Sequence, residues 1–225
     1  ADYWEMLEKE NLDIVSVCPR WTDCHEEMII ACVEAGCHVY SEKPLTMDLA
    51  SADRIVAAAE HSDRKVAVAH QGVYLSQVQI AREMIHNGRI GKLLSMHATG
   101  KQDHRGGGED MMVLGTHLFN MMRFFGGDPI WMTARVMMGD REIIPSDIRE
   151  ANEPIGHIAG NNIVSLFSFS NGVDGSFVSR ADQLGKGQGY GLVFVGESGR
   201  IAINGGGDQI SIYDRIINYI YLITF

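Results

Sequence analysis

The chain of 225 residues has little that would hold a metal. Its four cysteines, Cys18, Cys24, Cys32 and Cys37, form no close Cys-x-x-Cys pair. That spacing argues against structural zinc. Cys32 and Cys37 fall on or beside apolar faces, where buried reduced thiols are the plainer reading. Positive charge is also short: 19 basic residues stand against 29 acidic ones, a formal net charge of −10. This excess of acid argues against nonspecific nucleic-acid or anionic-membrane binding, both of which favour basic patches. No apolar run approaches the roughly 20 residues that a bilayer-spanning helix needs. No leader-like segment opens the chain, so a cytoplasmic location is expected. The composition, 45% hydrophobic, is that of an ordinary globular protein, and the length suits one large or two modest domains.

What is present begins with alternation. Leu12–Val17 reads as a short buried strand stopped by Pro19. Asp23 and Glu26 have the spacing of a capping box, opening a helix with Met28, Ile29, Cys32, Val33 and Ala35 inward and Gly36 at its end. A second short run, Cys37–Tyr40, leads into Ser41-Glu42-Lys43-Pro44. A helix from Asp48 to Glu60 follows, with Leu49, Ala52, Ile55, Val56 and Ala59 inward, and then a third strand, Lys65–Ala69. Strands alternating with helices of this length imply right-handed crossovers and a parallel sheet. Glu-Lys-Pro then falls at the carboxyl edge of that sheet, where open α/β sheets bind ligands. Lys43 can there bind a ribose hydroxyl or polarise a reacting one, with Glu42 beside it; the tripeptide alone is equally consistent with a surface ion pair beside a loop proline.

These residues are similar to a known family. Asp13–Arg20, His25 and Glu34–Leu45 together resemble the Gfo/Idh/MocA family, the glucose-fructose oxidoreductase and inositol dehydrogenase group. Downstream, Asn87–Lys92 resembles the family's Gly-x-Ile-Gly start of a second domain. Gly106–Gly108 with Gly115-Thr116-His117 resembles its glycine-rich loop and Gly-x-His helix, and Asn171–Val173 and Gly199–Ile201 resemble its hairpins. The resemblance implies an NAD(P)-dependent dehydrogenase, using NAD or NADP, that oxidises a secondary hydroxyl of a sugar, polyol or related small molecule. Glycoside cleavage by transient oxidation and a non-catalytic role are the alternatives. One feature of the family is missing: no Gly-x-Gly-x-x-Gly turn opens this chain, so it is expected to be the trailing part of a longer protein. The fold expected is α/β: the second half of a Rossmann-like parallel sheet over residues 1–70, then an α+β domain over 71–225 with an open, mainly antiparallel sheet.

That second part reads as a helix (Tyr74–His86), a strand (Leu93–Thr99), a polar glycine-rich loop to Asp110, and a helix from Leu114 to Phe125. Strands follow at Trp131–Met138, Ile163–Phe169, Val173–Val178, Gly191–Val195 and Arg200–Ile203. Residues 144–160 read as a loop without functional signal. The resemblance implies a homo-oligomer joined through the far side of this sheet.

The implied catalytic residues are Lys43 and His117. In the family the histidine of this helix faces the nicotinamide as general base or orienter, and an ordinary histidine pKa of about 6.5 suits proton shuttling. Cys18, Pro19, Arg20, Glu42 and Lys43 are expected to line the cofactor, with His25 near its phosphates or ribose. His117, Asn120 and Glu109 are expected on the substrate side. Three positions depart from the family: Val113 and Asn120 stand where aspartate is frequent, and Gln71–Tyr74 stand where many members carry arginine.

Overall fold

The computed structural model describes residues 2–181, 189–205, 207, 209–214 and, for the backbone, 220–223. The chain divides into two compact units. One holds the residues up to Ala69 together with Glu150–His157; the other holds His70–Arg149 and the residues from Ile158 onward.

The first unit is a parallel three-stranded sheet with helices. Helix α1 (Tyr3–Lys9) precedes strand β1 (Ile14–Val17), helix α2 (His25–Glu34), strand β2 (His38–Ser41), helix α3 (Leu49–His61) and strand β3 (Val66–Val68). The strand order is β1-β2-β3, and Val17 pairs with Ser41 while Ser41 pairs with Val68. The core gathers Val17, Ile29, Cys32, Val33, Cys37, Val39 and Ile55. Asp48 caps α3 by accepting from Ser51 N at 2.8 Å, which satisfies one of the helix's orphan amides.

Four local expectations fail here, the first being Ala35, expected inward but exposed just past the end of α2. β1 is not a buried strand: Ile14 is 63% exposed, because β1 lies at the edge of the described sheet. Leu49 and Val56 of α3 point outward, at 83% and 51% exposure, and only Ile55 is fully buried on that helix. The capping box is not formed either. Asp23 sits in a 3-10 turn, Thr22–Cys24, and α2 starts without a side-chain cap. Glu26 instead accepts from Arg54 of α3 at 2.5 and 2.9 Å, and that guanidinium pulls its carboxyl down to about 2. A helix-to-helix ion pair has displaced a local cap.

The second unit is one nine-stranded sheet with helices. A 3-10 turn (Gln71–Tyr74) and helix α4 (Ser76–His86) lead to strand β4 (Leu93–Thr99). Then come one helical turn, α5 (Gly108–Asp110), a π-helical turn (Met111–Gly115) and helix α6 (Thr116–Gly126). Strands β5 (Pro129–Met138), β6 (Arg141–Glu142), β7 (Arg149–Glu150), β8 (His157–Ile158), β9 (Asn162–Phe169), β10 (Asp174–Arg180), β11 (Gly191–Gly196), β12 (Gly199–Asn204), β13 (Ile210–Asp214) and β14 (Ile220–Ile223) complete the chain. The sheet order is β14-β13-β12-β11-β4-β10-β9-β5-β6, with β7 and β8 paired separately. Every pairing within the nine strands is antiparallel except β4 with β10. The expected mainly antiparallel sheet is present; β13 and β14 were not anticipated.

The helices cover one face. Val78 and Ala81 of α4 and Leu118, Met121 and Met122 of α6 are buried in a core with Met96, Phe169, Phe177 and Phe194. The rings of Phe119 and Phe177 lie 4.8 Å apart, and those of Phe125 and Phe194 4.3 Å apart. The other face is open. Register aligns Trp131, Ser168, Asp174, Ser95, Val195, Arg200 and Tyr213 across seven strands. Trp131 there is 54% exposed, and a groove of ≈ 790 Å³ runs past Leu94, Val193, Val195 and Tyr213. Among the described residues no helix is long and apolar enough to cross a membrane.

Candidate active site

In the first unit the functional residues stand where parallel strands end. Glu42 N donates to Val17 O at 2.8 Å, which carries the β1–β2 pairing one residue beyond Ser41. This brings Cys18-Pro19-Arg20 and Glu42-Lys43-Pro44 to the same carboxyl edge. Cys18 and Arg20 are exposed, and Pro19, Glu42 and Lys43 are half-buried. The Lys43–Pro44 peptide is cis. Glu42 folds back so that its Oε2 accepts from Lys43 N at 3.0 Å. Chemically this edge offers an ammonium, a thiol and a guanidinium near strand ends, a donor set that suits an anionic or hydroxyl-rich ligand.

His25 does not belong to that exposed set, which corrects its expected place beside phosphate or ribose. It is 0% exposed. Its Nε2 lies 2.8 Å from Pro19 O, and its Nδ1 lies 3.1 Å from both Pro44 O and Leu45 O. The ring ties the loop after β1 to the loop after β2, so it braces the edge from behind.

Arg20 is held rather than free in solvent. Its guanidinium lies 3.5 Å from a Glu153 carboxylate oxygen and 4.6 Å from the centre of the Trp21 ring. Thr22, 4% exposed, donates its hydroxyl to Pro154 O at 2.6 Å. The segment Glu150–His157 is therefore a strap fastened beside the loop that follows β1. Sequence reading missed this strap. Its only signal was a charged, proline-bearing loop, which names no partner.

In the second unit His117 is the second residue of α6, following an unbroken helical run from Gly108 rather than a loop. Its ring meets that of His70 edge to face, with centroids 5.6 Å apart and planes at 84°. Both imidazoles are half-buried. Asn120 lies one turn further along the same helix, also half-buried. A π turn beside a candidate catalytic residue fits the frequent placement of such turns at functional sites.

Glu109 is corrected. It is 0% exposed and lies 3.6 Å from Arg149, so it is not open to a substrate. Asp110, also 0% exposed, bonds Ser179 and the Gln102 amide. The glycine-rich segment before them is closely packed rather than loose. Gly107 has φ of +92° and its amide donates to Ser179 Oγ at 3.0 Å. Val113 is buried, 6% exposed, and adds no polar group near His117. Among the described residues no cluster of three histidine, cysteine or acidic side chains could hold a metal ion.

Comparison with known proteins agrees with this arrangement. Residues 1–70 match the family described as an oxidoreductase family with an NAD-binding Rossmann fold, and residues 78–202 match the GFO/IDH/MocA C-terminal domain. Myo-inositol 2-dehydrogenase of Thermotoga maritima is 30% identical over 136 residues, covering 57% of this chain and 40% of that protein. Levoglucosan dehydrogenase of Pseudarthrobacter phenanthrenivorans is 22% identical over 228 residues, covering 91% of this chain and 58% of that protein. The chain thus spans about half the length of these curated relatives. Among solved structures, levoglucosan dehydrogenase in complex with NADH and levoglucosan superposes with a TM-score of 0.78 at 19% identity, covering 100% of this chain and 64% of that one. With both segments matched, the second over more than half of its length, the chain belongs to the NAD-binding Gfo/Idh/MocA oxidoreductase family.

Proposed function

We propose that the whole protein is an NAD(P)-dependent dehydrogenase that oxidises a secondary hydroxyl of a sugar, polyol or related small molecule. The observation that carries this reading is Lys43, half-buried at the carboxyl end of β2 within a segment matched to the NAD-binding family. The relatives named for inositol and levoglucosan oxidation support the substrate class.

Cys18, Pro19, Arg20, Glu42 and Lys43 would hold the cofactor's nicotinamide side, and the bound cofactor accepts the hydride. His117 takes the hydroxyl proton onto a ring nitrogen, the proton-shuttling role that imidazole serves most often. The Lys43 ammonium stabilises the alkoxide that develops as the proton leaves, a charge interaction that gains strength where water is excluded. Asn120, one helical turn beyond His117, offers an amide to a second hydroxyl. The outer face of the large sheet, with Trp131, Leu166, Val195 and Tyr213 on it, is the surface we assign to self-association.

The test is NAD and NADP reduction by the whole protein against a panel of inositols, aldoses and anhydrosugars. Turnover with at least one is expected, and Lys43→Met or His117→Ala should lower kcat by about 10²- to 10⁴-fold, the usual worth of a positioned proton-transfer group. Wild-type kcat in both variants would overturn the assignment.

A further inference from the structure

Asp110 is a fully buried carboxylate that the proposed chemistry does not use. Its Oδ2 accepts from Ser179 Oγ at 2.5 Å and from Gln102 N at 3.3 Å. Ser179, equally buried, accepts in turn from Gly107 N at 3.0 Å. A Cβ at Gly100 would overlap the carboxylate, so the backbone is closed tightly around it. The Tyr190 phenol, pushed up to about 12 by burial with the Asp110 charge adding to it, donates to Leu114 O at 3.4 Å inside the π turn.

Ser179 and Phe177 both project from β10 into this region. Ser179 grips Asp110 at the start of the helical run. Phe177 packs against Gly115, where a Cβ would lie 3.1 Å from its ring, and against the Phe119 ring. His117 lies between those last two contacts. The π turn Met111–Gly115 lies between the two grips. A π turn holds one more residue than an α turn. Relaxing it to α geometry would rotate everything beyond by about 100° and shift it by about 1.5 Å, the step of one helical residue.

We propose that Asp110, locked to Ser179, is a positioning residue that preserves the π turn and so fixes the rotational phase at which His117 is presented. This rests on the reading of His117 as the proton-transfer group. The latch is distinct from the ring contact with His70, because it acts along the helix axis rather than beside the imidazole.

The experiment is a set of cycles in the whole protein: Asp110→Ala, Asp110→Asn and Ser179→Ala, each alone and with His117→Ala, measured for kcat, KM and Tm. Asp110→Ala and Ser179→Ala should each lower kcat by about a hundredfold, the cost of misplacing a reacting group by an ångström, while the cofactor KM stays within threefold. Asp110→Asn keeps an oxygen acceptor and should recover most of the loss. In the His117→Ala background none of the three should lower kcat further. Losses that multiply with His117→Ala, or a Ser179→Ala enzyme with wild-type kcat, would overturn the latch. If His117→Ala itself keeps wild-type turnover, both the latch and the underlying role of His117 fall, and the two failures are thereby told apart. Should Asp110→Ala fail to fold, Ser179→Ala removes only one hydroxyl, and amide exchange over residues 111–117 gives the same answer: faster exchange than wild type is expected, and identical protection contradicts the latch.

Discussion

Replacing His25 with leucine separates a brace from a ligand. Leucine roughly keeps the volume, so the loss is chiefly of hydrogen bonding. Both ring nitrogens face carbonyl oxygens, Nε2 that of Pro19 and Nδ1 those of Pro44 and Leu45, and carbonyls can only accept, so the ring can serve them only as a donor. Removing it strands a buried acceptor, at about 1–3 kcal/mol. A loss near 2 kcal/mol corresponds to about 4–8 °C of Tm in a domain of 150–250 residues. Because the two loops so joined carry Pro19, Arg20 and Pro44, next to Lys43, the cofactor KM should rise several-fold while kcat falls less. Calorimetry and steady-state kinetics on the whole protein read both effects. Unchanged Tm with a lost cofactor affinity would mean that His25 meets the ligand after all; no change in either would mean that the three carbonyls are satisfied without it.

The other expectations concern charge and surface. The Asp103 carboxyl, 13% exposed on its side chain, is held down to about 2 by hydrogen bonds from the Arg105 side chain, above all, and by its amide. Its folded pKa lies below its ordinary 3.8, so its stabilisation is full above that value and is lost as pH falls through about 2. The contribution is at most about 2 kcal/mol, and Asp103→Asn should flatten acid melts in that window; an unchanged slope would refute it. Leu166→Glu or Trp131→Glu sets a charge on the open sheet face, where these side chains are 49% and 54% exposed. Sedimentation should report a smaller assembly, and an unchanged mass would remove this face as the contact.

Elements set by local chemistry were legible in the sequence. Asn171-Gly172, with φ of +80° at the glycine, turns β9 into β10, and Glu197-Ser198 turns β11 into β12. Asp48 announced α3 by its own side chain. What depended on distant partners was not legible. Asp23 and Glu26 have the spacing of a cap, but Arg54 takes Glu26 away. Glu109, expected on the substrate side, and Asp110 follow three glycines, and nothing local says that Arg149 and Ser179, far along the chain, close over them. An apolar run marks β1 as a strand without saying that it stands at the edge of the described sheet, where Ile14 is exposed. His70 carried no sequence signal, since only the fold brings its ring to His117.

The central claim is tested most directly by a polyol carrying deuterium at the carbinol carbon, incubated with the whole protein and oxidised nicotinamide cofactor. Mass spectrometry should find that deuterium in the reduced cofactor, with the transfer lost in His117→Ala and in Lys43→Met. Reduced cofactor without the label, or transfer undiminished in both variants, would contradict the account.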